Sequence, residues 1–348
     1  MSLYTKRRER LLELAKGNQV VAAKSTNMFY ATNFCGGGVA IVKPDKTVVV
    51  TSVMEADAAK QIGQEVEVIG VKKRTDLPVV VAKHLERGGV IVDDDTQFRR
   101  SRRFAMKPDL FLEARRVKDE EEIRRIAEAS KVLDGIFAAL EREIRPGRSE
   151  WEVAAEVMRL ATLGQTVPTA FGDSLYPAII ASGENGALPH AGVSSKKIRN
   201  GEFVVADIFF RYEGYNSDAT RTYAVGGVSG EMKRCYDAVR EAQEAALSEI
   251  REGAVCGAVN EAAVAVLRKH SLDRYLTHSI GHGVGIDIHE LPSIMKANRK
   301  KLLKDDVVTD EPGVYFSGRY GIRIEDTIRV GSRPELLTHY TKELVVVG

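Results

Sequence analysis

The chain has 348 residues, 44% of them hydrophobic and 29% charged, a length that exceeds one ordinary core and calls for two domains. Lys and Arg number 51 against 49 Asp and Glu, a net charge of +2, so nothing pulls the chain as a whole toward nucleic acid or anionic lipid. No apolar run approaches the ~18 residues that span a bilayer, and LLELA after the basic N-terminus is too short for a signal core; the expected location is the cytoplasm. The basic runs Lys6–Arg10 and Arg99–Arg103 read as solvated surface. Cys35, Cys235 and Cys256 form no CxxC spacing and read as buried, reduced thiols.

Up to about residue 112 helical and strand-like pieces alternate. An amphipathic start (Leu11, Leu12, Leu14) precedes VVAA at 20–23, GVAIV at 38–42, TVVVTSV at 47–53 and GVIVDDD at 89–95, the pattern of a small α/β domain. A charged helix begins near Asp119. Its apolar residues Ile123, Ile126, Leu133, Ile136, Phe137 and Leu140 recur at three- and four-residue steps, which gives one buried stripe. The second domain is therefore taken as 113–348.

That domain contains an internal echo. EIRPG at 143–147 and EIREG at 249–253 lie 106 residues apart, each after a long helix and before a second one. Ser149 with Glu152 predicts a capping box for a helix that runs to Gly164. Strand-rich segments with turn residues follow each helix pair, at 206–225 and 307–330, so two α-α-β-β halves with mostly antiparallel strands are expected, an α+β domain.

In the first hairpin, a two-residue turn at Glu213-Gly214 would set Asp207 opposite Thr220 and Asp218 opposite Phe209 as diagonal neighbours, and a slip of one pair would make the two direct neighbours; either way both carboxylates share one face. In the second, Glu311 and Glu325 are equidistant from Gly318, and a five-residue loop from Phe316 to Tyr320 makes them cross-strand partners. Four carboxylates brought to an internal two-fold demand divalent cations, and oxygen donors favour Mn, Co or Fe. Between the hairpins lies HSIGHGVGIDIHELP at 278–292. Its glycines mimic a dinucleotide fingerprint without the strand-turn-helix context, so a nucleotide site is rejected. Glycines flanking His282 allow the close backbone approach that an imidazole ligand needs, and His289 and His190 become candidates to hold a substrate carbonyl.

Together with ASGENGALPHA at 181–191, these segments resemble the pita-bread metallopeptidases, the group of methionine aminopeptidases, Xaa-Pro aminopeptidases and prolidases; residues 1–112 resemble the creatinase-type domain that precedes the catalytic one in prolidases, with NMFYATNF at 27–34 in its pattern. The resemblance implies that Asp207, Asp218, His282, Glu311 and Glu325 ligate two divalent metals, Mn or Co foremost and Fe or Zn as alternatives, with Asp218 and Glu325 bridging. It implies that Glu311 shuttles the proton of an attacking hydroxide, that His190 and His289 stabilise the tetrahedral intermediate, and that His278 and Arg323 stand behind the metals or beside the substrate. The implied activity is hydrolysis of Xaa-Pro bonds in dipeptides or short peptides by a homodimer. Cleavage of longer Xaa-Pro peptides and a non-catalytic pita-bread binding module are the alternatives. Dipeptide-cutting prolidases resemble one another in carrying an arginine shortly after their His-Glu-x-Pro segment, where this chain has Ser293, so the preference for dipeptides is expected to weaken unless Arg299 or Arg323 reaches the same spot. Asp310 points away from the metals by strand alternation and needs a partner or a water.

Overall fold

The computed structural model describes residues 3–63, 65–94, 103–169 and 178–348. The chain divides into two compact units, Met1–Arg115 and Arg116–Gly348. No helix among the described residues is long and apolar enough to cross a membrane.

In the first unit, strands β1 (Gln19–Ala22), β2 (Val39–Val42), β3 (Thr47–Ser52), β4 (Val66–Val71), β5 (Val90–Val92) and β6 (Phe104–Met106) form one mixed sheet in the order β4-β3-β2-β1-β5-β6. Helix α1 (Leu3–Ala15) precedes the strands, α2 (Ser25–Thr32), α3 (Ala56–Lys60) and α4 (Leu77–His84) lie between them in sequence, and α5 (Pro108–Arg116) leads out. Every residue of β2 and β5 is buried, as expected for unbroken Val-Ile runs in a sheet covered on both faces.

Two surface expectations fail here. Arg7 and Arg8 of the first basic run are buried; Arg7 donates to Tyr30 O and Asn33 Oδ1 and lies over the Tyr30 ring, so the helix uses its guanidinium as an internal tie rather than a solvated charge. Cys35, on the connection between α2 and β2, is exposed, whereas Cys235 and Cys256 are buried. Of the second basic run only Arg103 is among the described residues.

The second unit is α+β, with two helix pairs that are each followed by a strand-rich segment. Asp119 caps α6 (Glu120–Glu143) in a reciprocal box with Glu122, and Ser149 caps α7 (Glu150–Leu163) in the predicted box with Glu152. After the short β7 (Val167–Pro168) and β8 (Ala178–Ser182) comes the long hairpin of β9 (Phe203–Tyr212) and β10 (Tyr215–Val225). Then α8 (Gly230–Glu249) and α9 (Cys256–Lys269) repeat the helix pair. The echoed pentapeptides are the exits of α6 and α8. Ile144 and Ile250 are fully buried, and Gly147 and Gly253 adopt φ of +87° and +83°, a backbone that favours glycine.

Strands β11 (His282–Gly283), β12 (Glu290–Ser293), β13 (Val307–Asp310), β14 (Gly313–Phe316), β15 (Tyr320–Arg323), β16 (Asp326–Arg329), β17 (Glu335–Leu336) and β18 (Val346–Val347) complete the unit. One sheet runs β18-β10-β9-β7, with β8 also on β9; a second runs β12-β11-β13-β16-β17; β14 and β15 form a separate ribbon. All these pairs are antiparallel except β10 with β18. The helices bury their apolar stripes on these sheets in two clusters, one under α6 and α7 and one under α8 and α9.

Candidate metal centre

The β9–β10 register is the one a two-residue turn predicts: Asp207 opposes Thr220 and Asp218 opposes Phe209. Glu213 and Gly214 both have positive φ, 45° and 88°, as a type I′ turn requires. The strand begins at Phe203, three residues before the expected segment, because the apolar run Phe203–Val205 is buried in the sheet.

The second hairpin differs from its expectation. Its loop is three residues, since Phe316 and Tyr320 are themselves paired. Glu311 and Glu325 keep the anticipated count, between the Asp310↔Asp326 pair and the Gly313↔Arg323 pair, but belong to neither ladder. Pro312 has no N–H to give. Glu325 instead bridges the first hairpin: its N–H donates to Thr220 O at 3.1 Å, and Thr220 Oγ1 donates to Glu325 Oε2 at 2.7 Å.

His282 reaches this place through its glycine neighbours. A Cβ on Gly281 would stand 2.2 Å from Thr309 O, and one on Gly283 would stand 2.2 Å from Leu291 O. Only glycine fits between those backbones. The imidazole Nδ1 lies 3.0 Å from Gly283 O, which can only accept, so Nδ1 carries the proton when the ring is neutral. Burial holds the ring neutral, with its pKa lowered to about 3, helped by His289. Nε2 then turns a lone pair toward Glu311 Oε1 at 3.3 Å and Asp218 Oδ2 at 3.8 Å.

Ligand atoms of Asp218, His282 and Glu325 lie within 4.8 Å of one another. Burial, with Asp207 and Glu311 next to it, raises the Asp218 carboxyl well above its ordinary range; burial and Asp218 do the same to Glu325. Glu311 is pushed up to about 8, again by burial and with Asp207 adding to it. Asp207 Oδ1 and Asp218 Oδ1 are buried without a hydrogen-bond partner among the described residues. Orphaned oxygens, mutually repelling carboxylates and an imidazole lone pair aimed among them make a donor set that fits hard divalent cations.

Behind the carboxylates, Arg323 donates to Asp207 Oδ2, to Tyr315 OH at 2.6 Å, to Thr220 Oγ1 at 3.1 Å and to Pro189 O at 3.2 Å. Tyr315 OH in turn lies 2.8 Å from His278 Nε2, whose Nδ1 is 2.6 Å from Ser279 O. Burial lowers His278 to about 4, and the Arg323 charge adds to this, so His278 is a neutral acceptor for the Tyr315 hydroxyl. Sequence reading gives no role to Tyr315 or to the Thr220 hydroxyl. Thr220 was legible as the partner of Asp207, but its bond to Glu325 depends on how the two hairpins meet.

The His289 ring stands edge-on to His282, centroids 4.0 Å apart. Its loop is fixed by Glu290, which accepts from Asp287 N–H at 3.0 Å and pairs with buried Lys118 at 3.2 Å. His190 is exposed, at the end of the 181–191 segment. The carbonyl of Pro189, immediately before it, accepts from Arg323 at 3.2 Å. Ser293 is the cross-strand partner of His282. Arg299 is exposed. Asp310 is fully buried, with neither oxygen hydrogen-bonded among the described residues; burial and cross-strand Asp326 raise its carboxyl well above the ordinary range.

The sequence pattern of metallopeptidase family M24 matches residues 124–332. The Xaa-Pro dipeptidase of Pyrococcus furiosus is 32% identical, over 97% of this chain and 100% of that protein. Among solved structures, the Xaa-Pro dipeptidase from Bacillus anthracis superposes with a TM-score of 0.91 at 29% identity, covering 99% of this chain and 100% of that one. The X-Pro aminopeptidase from Thermotoga maritima does so with 0.87 at 28%, covering 98% and 99%. With the centre and these likenesses together, the chain is a metallopeptidase that belongs to family M24.

Proposed function

We propose that this metallopeptidase is prolidase-like and hydrolyses the Xaa-Pro bond of dipeptides and short peptides at a centre where Asp207, Asp218, His282, Glu311 and Glu325 would hold two divalent ions, Asp218 and Glu325 being the ligands that would serve both. The observation that carries this is the neutral His282 Nε2 facing buried carboxylates, two of which have orphaned oxygens. Full-length similarity to proteins named Xaa-Pro dipeptidase supports the substrate class. When bound, a pair of divalent ions, Mn or Co foremost and Fe or Zn as alternatives, acidifies a water and polarises the scissile carbonyl. Glu311 accepts the proton of the attacking water and returns it to the leaving nitrogen. His190 and His289 donate imidazole N–H groups to the carbonyl oxygen as it gains charge. Arg323 and Tyr315 hold Asp207 and His278 in place behind them. The protein acts as a cytoplasmic homodimer, which light scattering at micromolar concentration checks; a monomer alone would contradict it.

One observation favours peptides longer than two residues as additional substrates. Arg323 is 3% exposed and spends its guanidinium on Asp207, Tyr315, Thr220 and Pro189, while Ser293 stands opposite His282. A dipeptide carboxylate placed there lacks a charge-assisted bond of about 1.5–3 kcal/mol. With Mn or Co present, Ala-Pro and Ala-Pro-Ala are both cleaved, and Ser293→Arg shifts preference toward Ala-Pro. Cleavage of Ala-Pro alone by the wild type would contradict the length reading, and no cleavage of either would favour a binding module.

A further inference from the structure

Glu150 is the first residue of α7, yet Ser149 and Glu152 already cap that helix and Glu150 is fully buried. A carboxylate in such a place is costly unless donors surround it. Here they do. Oε1 accepts from Ser182 N–H at 2.7 Å and Ser182 Oγ at 2.8 Å. Oε2 accepts from Ser194 N–H at 3.2 Å and Ser194 Oγ at 2.5 Å. Asn185 Nδ2 reaches both oxygens, at 3.1 and 3.0 Å.

These donors stand on either side of one segment. Ser182 closes β8 and Ser194 follows the ALPHAG stretch, so one carboxylate fastens both ends of the loop that carries His190. Two further contacts fix the arc between them. Arg323 donates to the carbonyl of Pro189, immediately before His190. A Cβ on Gly321 would stand 1.9 Å from Gly186 O, so the loop backbone lies directly on the second hairpin. His190 itself, the residue after Pro189, is exposed.

We infer that Glu150 is a positioning residue for His190, acting from outside the metal ligands through the two ends of the 183–194 loop. This rests on the role proposed above for His190. Glutamine at 150 keeps the shape, but its amide nitrogen cannot accept from the serine donors, so one end of the loop is released. A donor displaced by about 1 Å can cost on the order of 100-fold in rate.

The test compares wild type, Glu150→Gln, His190→Ala and the double variant on Ala-Pro, with metal content, melting temperature and amide hydrogen exchange recorded for each. Glu150→Gln is expected to keep its metal and fold and to leave KM nearly unchanged. Its kcat should fall roughly 10- to 100-fold, with faster exchange confined to 183–194 and no added loss in the His190→Ala background. An equal factor in both backgrounds, or no loss while His190→Ala is impaired, overturns the inference alone. Full turnover by His190→Ala removes the role of His190 and the inference with it. Should Glu150→Gln not fold, Ser194→Ala carries the same cycle with the same expected and contradicting results.

Discussion

Both halves of the second unit leave their long helix through the same pentapeptide pattern, with a buried isoleucine and a glycine at positive φ, and both follow it with a 14-residue helix. They part at the carboxylates. The first half presents Asp207 and Asp218 from an unbroken ladder of ten paired positions. The second presents Glu311 and Glu325 from a gap between two four-pair ladders, and the freed backbone of Glu325 pairs with Thr220 of the first half. Pseudo-symmetry therefore holds in the helices and register and yields where the halves meet. Pro312, unable to donate, makes the interruption possible, and the longer glutamate side chain reaches from the displaced backbone.

The comparison predicts that the two halves contribute inseparably to one centre. Asp218→Ala and Glu325→Ala, one from each half, should both abolish metal loading and turnover, as read by elemental analysis and peptide hydrolysis. Near-normal turnover with two bound metals in either variant would show that its half is dispensable. His289→Ala should differ in kind, keeping its metal but losing turnover by ~100-fold or more; full activity would remove His289 from the mechanism.

A smaller effect is expected on stability. In the metal-free protein Glu311 is raised from 4.5 to about 8 and Asp218 and Glu325 are raised in the same direction. The folded state therefore binds more protons than the unfolded one above pH 4.5, and stability falls as pH rises toward 8. His278 and His282, lowered from 6.5 to about 4 and about 3, and His289, lowered in the same direction, act with the opposite sign, an effect that fades as pH rises above 6.5. Between pH 6.5 and 8 the carboxylates dominate, so the melting temperature of metal-free protein should fall across that window and flatten when metal is added. A rise would mean that these carboxyls gain by folding.

Much of this was legible in the chain. Alternation put Asp207 and Asp218 on one face, and of the two registers left open the structure has the one with Glu213-Gly214 as a two-residue turn. The Ser149–Glu152 box and the repeated pentapeptide marked helix ends by local rules alone. What sequence could not give were contacts made by tertiary placement: the bond from Thr220 to Glu325, Tyr315 between Arg323 and His278, and the inward turn of Glu150 at a helix start where a solvated glutamate is ordinary. Local pattern also misplaced Arg7, whose burial depends on Tyr30 and Asn33 folding back over it.

The most direct test is calorimetric titration of metal-free protein with Mn²⁺ at pH 7 in buffers of different ionisation enthalpy. The carboxyls held protonated by burial and by one another must lose protons as they become ligands. Two ions bound per chain with net proton release is the predicted result; one ion or none, or binding that releases no protons, would contradict the two-metal centre.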